Sequence, residues 1–169
     1  MKWRFIVLAV VALFILTTET SWAQTKKSTA PPRGYYLTKG DPLSGGGYDG
    51  AHAKGACAVG YHVVSLWEIH EPSNLSYGTT LGLTTDDSGS GPPTTVEGWI
   101  RTGFPSINYI NRPGAANCNA WTTTGGAGTL GRLVDDWLNL DGTSQVPIKP
   151  WTADFGQCSV PARVWCVQD

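Results

Sequence analysis

The chain has 169 residues, with 12 Lys and Arg against 13 Asp and Glu, for a formal charge of −1. Without a basic stripe to neutralise phosphates, nucleic acid is not expected as a partner. The length suits one domain with its own core, and 21 Gly beside 8 Trp points to a loop-rich fold pinned by large aromatic anchors.

Residues 1–23 read as a signal peptide. Lys2 and Arg4 form a basic start, Phe5 to Leu16 an apolar run, and Ser21 and Ala23 sit like the small residues before a cleavage site. The run is too short to cross a ~30 Å hydrocarbon layer as an ordinary helix, and no cysteine there offers a lipid handle. The expectation is a chain that starts near Gln24, is secreted or periplasmic, and has no membrane span after cleavage. Losing Lys2, Arg4 and Glu19 shifts the charge from −1 to −2. Residues 24–33, QTKKSTAPPR, are polar and Pro-containing and read as a flexible leader. One domain is expected over residues 34–169.

Within it, Gly34 to Thr38 is a strand candidate, and the Gly-rich run Leu43 to Gly47 a turn. Asp49 to Cys57 carries Ala51, Ala53 and Ala56 and suggests a tightly packed helix, weakened by Gly50 and Gly55 at ~1 kcal/mol each. Gly60 could close it. Tyr61 to Val64 is an apolar, β-branched strand. Ser65-Leu66-Trp67-Glu68 has the S-x-x-E spacing of a capping box, so a helix is expected from Leu66, with Pro72 breaking it and Glu68 serving as a cap rather than a catalytic acid. Thr79 to Pro93 reads as a surface loop. Gly98 to Gly103 reads as a strand with Trp99 and Ile100 on opposite faces. Thr122 to Gly131 reads as Gly/Thr-rich turns, and Cys158 and Cys166 as a hairpin-like closing pair.

The four cysteines are Cys57, Cys118, Cys158 and Cys166, and an even count in an exported chain favours disulfides, with three pairings open. Zinc is disfavoured, because no C-x-x-C occurs and His52, His62 and His70 lie far from the last three cysteines. His62 and His70 read as hydrogen-bonded structural histidines. No G-x-S-x-G elbow is present, and no catalytic residue is assigned. Asn74-Leu75-Ser76 is a glycosylation sequon only in a eukaryotic host.

The order of YYLT, a small-residue stretch ending in Cys57, YHVVSLWE, GWIRTG, and finally Cys158 and RVWCVQD resembles the C-type-lectin-like domain from Tyr35 to Asp169. The arrangement is most similar to secreted bacterial members of the C-type-lectin-like and endostatin-like folds. The resemblance implies an α+β fold of short antiparallel sheets with two helices and many loops. It also implies disulfides joining Cys57 to Cys166 and Cys118 to Cys158. Sugar-binding members carry Glu-Pro-Asn or Gln-Pro-Asp in the long loop and Trp-Asn-Asp on the next strand, supplying oxygen ligands to calcium. Here Glu71-Pro72-Ser73-Asn74 follows the first strand instead, Trp151-Thr152-Ala153-Asp154 lacks the ligand pair, and Cys118 and Cys158 stand unusually far apart. The family's calcium-dependent sugar binding is therefore not expected. Asp86, Asp87, Asp135 and Asp136 are the adjacent acids that could still hold calcium, although solvated turn and cap roles are the favoured reading.

The stretch this family uses for recognition here contains Asn108, Tyr109, Asn111, Asn119 and Trp121. Aromatic rings stack on sugars or anchor protein contacts, and amides donate and accept hydrogen bonds. Trp121 and Trp137 also read as core pillars. The expectation is non-catalytic recognition of a glycan or an extracellular protein through the Cys118-centred loops. A secreted hydrolase using loop carboxylates and a structural envelope or matrix component are the alternatives.

Overall fold

The computed structural model describes residues 31–86, 88–104, 116–133 and 151–169. The signal segment, most of the leader, Asp87, Asn108, Tyr109, Asn111, Asp135, Asp136 and Trp137 lie outside them. Seven strands form one mixed sheet: β1 (Arg33–Leu37), β2 (Tyr61–Val63), β3 (Leu75–Tyr77), β4 (Gly98–Ile100), β5 (Ala127–Leu133), β6 (Trp151–Gln157) and β7 (Arg163–Gln168). Two helices of four residues each complete the α+β fold: α1 (Leu66–Ile69) and a turn at Cys118–Trp121. Among the described residues, no helix is long and apolar enough to cross a membrane.

β7 organises the sheet. β1 runs antiparallel along one flank, pairing Tyr35 with Val167 and Leu37 with Trp165. The other flank is shared: β2 is antiparallel to the C-terminal half, with His62 opposite Val167, and β4 is parallel to the N-terminal half, with Trp99 opposite Val164. The sheet is thus mixed, not a set of antiparallel pieces, since β1 and β3 are also parallel. The chain leaves β1, turns, and passes through β2 and α1 before returning to it, which lets β3 run the same way as β1. The expected closing hairpin is absent. β6 takes its partner from β5 over seven register pairs, from Ala127–Gln157 to Leu133–Trp151, because both flanks of β7 are already occupied.

Alternation then sorts the apolar side chains onto two faces. Tyr36, Val63, Trp99, Val164 and Cys166 pack with both disulfides on one side. Tyr35, Leu37, Ile100, Trp151, Trp165 and Val167 form the other core. Trp99 and Ile100 face opposite sides, as their neighbouring positions require. The two fully buried indoles both find an acceptor: Trp99 Nε1 donates to the Tyr48 carbonyl at 2.7 Å and Trp165 Nε1 to that of Gly131 at 2.9 Å.

The structure joins Cys57 to Cys166 and Cys118 to Cys158, the pairing that the resemblance implies. The first bridge spans 109 residues and restricts the unfolded chain by about 4–5 kcal/mol in the chain-entropy account.

Two expectations are corrected. Asp49 to Cys57 is no helix; only Ala53–Gly55 makes a 3-10 turn. The Asp49 carboxylate accepts from the amides of Ala51 and His52, both at 3.0 Å, and starts a tight turn that competes with a continuous helix. The Gly/Thr-rich run to Gly131 ends in β5, the longest strand together with β6. Its glycines make room rather than turns: a Cβ on Gly128 would lie 2.7 Å from both Cys118 Sγ and the Trp99 ring.

Gly50 is under the same constraint from the other side. A Cβ there would collide with Cys118 Sγ and lie 2.8 Å from Cys158 Cβ. Gly50→Ala should lower stability by roughly 1–3 kcal/mol through overpacking. Gly55→Ala, where nothing lies within 4 Å of the added carbon, should be neutral or stabilise by a few tenths of a kcal/mol. Denaturant midpoints of the two variants check the contrast; equal losses would refute it.

Candidate binding cleft

The junction where β2 hands over to β4 along β7 builds the site. Val64 N–H donates to the Trp165 carbonyl at 2.9 Å, Arg101 N–H to that of Val64 at 2.8 Å, and Leu66 N–H to that of Arg101 at 2.8 Å. This sets Arg101 beside His62. The chain end closes in through Asp169 N–H, which donates to the Gly60 carbonyl at 3.0 Å. Lys54, Tyr61, Val63, Ala120 and Trp121 complete a cleft of about 420 Å³ around His62, Arg101 and Asp169, a size within the range of small-ligand sites.

One wall is unusual. Cys118, Asn119, Ala120 and Trp121 have φ of 49°, 52°, 57° and 63°, so this helix is a single left-handed turn made without glycine. Each such residue costs roughly 1–2 kcal/mol against its right-handed conformation, and strain of this kind gathers at functional sites. Long-range contacts hold the turn. Cys118 is tied to Cys158. Trp121 N–H donates to the Asn117 carbonyl at 2.9 Å. The Asn117 side-chain oxygen accepts from both the amide and the hydroxyl of Thr102, each at 3.0 Å, which fastens the turn to the segment after β4. The Trp121 ring meets Trp99 edge-on, with centroids 6.0 Å apart. Trp121 is thus both a core residue and a wall of the cleft. Its Nε1–H is buried and has no acceptor among the described residues.

Behind the cleft lies an ion cluster centred on Glu68. The predicted capping box is present: Glu68 N–H donates to Ser65 Oγ, and the carboxylate accepts from Ser65 N–H at 2.9 Å and Oγ at 2.7 Å. The same carboxylate also accepts from Arg33 Nη1 at 3.1 Å and stands 3.1 Å from His62 Nε2. His62 Nδ1 lies 2.6 Å from Asp169 Oδ1. Burial opposes the charged form of Glu68, but the Ser65, Arg33 and His62 hydrogen bonds outweigh it and hold the acid down to about 2. A carboxylate this committed neither gives nor takes a proton near neutrality.

Of the residues read as binding candidates, Asn119 and Trp121 share the left-handed turn. Asn119 is exposed, its amide donating to Thr122 Oγ1 at 3.3 Å. Asp86 sits in an exposed turn closed by Thr85 and Ser88. Among the described residues, no group of three or more His, Cys, Asp and Glu is arranged to hold a metal ion. Lys54, His62, Arg101 and Asn117 belong to the site although sequence reasoning assigned them no ligand. A second hollow of about 450 Å³ is walled mainly by aliphatic groups such as Pro42, Leu43 and Val160; Glu97 there pairs with Arg132 at 3.8 Å, and Arg163 stands 4.0 Å from Asp41 with its buried Nε lacking a partner among the described residues.

Two measurements follow. Glu68 ionises more readily folded than unfolded, so its contribution is complete above its ordinary value of 4.5 and is lost as pH falls toward about 2. Glu68→Gln should cost roughly 1–3 kcal/mol at neutral pH and flatten this part of the profile of denaturant midpoint against pH; an unchanged slope would contradict the cluster. Ala120→Gly should raise stability by up to roughly 1 kcal/mol, because glycine adopts φ +57° without strain. A fall in the midpoint would show that the turn is not strained there.

No family model, curated protein or solved structure matches this chain.

Proposed function

We propose that this is an exported, non-catalytic recognition domain of C-type-lectin-like architecture that binds a glycan in the cleft beside the left-handed turn. The architecture is supported by the pairing of the first and last strands, β1 with β7, and by the two disulfides. Export is supported by those bridges, which persist in oxidising compartments, together with the signal-like start of the sequence.

The observation that carries the binding reading is a cleft walled by the strained left-handed turn and lined by Trp121, Tyr61 and Val63 beside Lys54 and Arg101. Sugar hydroxyls pair with such polar groups, and Val63, Tyr61 and Ala120 offer apolar surface to the faces of a ring. A concave site of this size suits one or two sugar rings better than a protein partner, whose standard interface removes about 800 Å² per side. Hydrolysis is disfavoured because Glu68, the carboxylate with the most partners here, is held ionised and saturated.

A glycan-array screen of the purified protein, with calcium and again with chelator, tests this. Binding should survive chelation with both disulfides intact. A blank array would overturn the glycan reading, and binding abolished by chelator would overturn its independence from calcium.

A further inference from the structure

Resting on that reading, we propose that the cleft selects a sugar bearing a carboxylate, a hexuronate residue, over neutral sugars. Two cationic side chains of the cleft make no hydrogen bond among the described residues. Lys54 is exposed and makes no hydrogen bond or ion pair among the described residues. Arg101 is about half exposed, and its nearest carboxylate oxygen, Glu68 Oε2, is 3.9 Å away, beyond hydrogen-bond reach. Glu68 cannot draw it closer, because Ser65, Arg33 and His62 already serve that carboxylate. The guanidinium therefore keeps its planar fork of N–H groups free, and such a fork matches a carboxylate through two parallel hydrogen bonds.

The acceptors on the cleft wall are the Tyr61 hydroxyl and Asp169, the one acidic side chain among the described residues lining it, of which Oδ1 is engaged by His62 Nδ1 at 2.6 Å. A neutral sugar would bring as many donors as acceptors and give Arg101 and Lys54 no charged partner. A hexuronate brings a charged acceptor for Arg101 and Lys54 and a carbon face for the apolar wall.

Titration of the purified protein by calorimetry, with trigalacturonate, the neutral galactose trimer and triglutamate as probes, tests the proposal. The uronate should bind at least about tenfold more tightly than the neutral trimer, a difference of about 1.4 kcal/mol, and its advantage should shrink at high salt. Arg101→Ala and Lys54→Ala should each lower the ratio of uronate to neutral-trimer affinity by most of that advantage, and both alter side chains that reach solvent. Arg101→Lys, which keeps the charge but not the fork, should fall between. Equal affinity for acidic and neutral trimers would overturn the proposal and leave glycan recognition standing. Failure of every sugar to bind would overturn both. Triglutamate binding as tightly as the uronate would overturn it by showing that the carboxylate alone is recognised.

Discussion

The constraint on which the structure rests is that β7 is hydrogen-bonded on both flanks by strands from distant parts of the chain. β1 lies on one side, and β2 and β4 share the other. A strand so placed has no free edge, so both its faces must be apolar, and RVWCVQ supplies this with Val164, Trp165, Cys166 and Val167 all buried. Cys166 adds a covalent tie to Cys57. Because β2 must stop for β4 to begin, a seam opens at Val64 and Arg101, and the seam holds the cleft. The site is thus a consequence of how one strand is shared.

The left-handed turn is the second feature that the fold has to support. Four non-glycine residues in that conformation, at roughly 1–2 kcal/mol each, would not persist in an isolated peptide. The Cys118–Cys158 bridge closes 40 residues and restricts the unfolded chain by about 4 kcal/mol. The Asn117–Thr102 hydrogen bonds and the Trp99–Trp121 contact add to it. Space is made on both sides by glycine, Gly50 on one and Gly128 on the other, each too close to the bridge to tolerate a side chain. The outcome is an indole held in the wall of an open cleft.

What could be read from the sequence was what depends on neighbours in the chain. The Ser65–Glu68 capping box involves residues three apart, and the helix starts at Leu66 as that spacing requires. YYL, YHV and GWI carried their own strand signal. The helix expected before Cys57 failed because alanine content outweighed Asp49, whose side chain competes for the local amides. β5 was missed because its glycines answer to Trp99 and Cys118, which are remote in sequence. The left-handed turn left only a faint trace, an asparagine at 119, a residue type enriched at positive φ. The partnership of Glu68 with Arg33 and His62 spans up to 35 residues, and no local pattern reveals it.

That partnership also removes Glu68 from acid–base work. A general acid or base must sit near its own titration point to exchange protons at neutral pH, and Glu68 is held far below it. The hydrogen bonds that achieve this also saturate the carboxylate, so the counter-charge behind the cleft is spent on Arg33 and His62 before it reaches Arg101. Arg101 thus stands 3.9 Å from a carboxylate already engaged elsewhere, and it lines the cleft with Lys54 and Asp169.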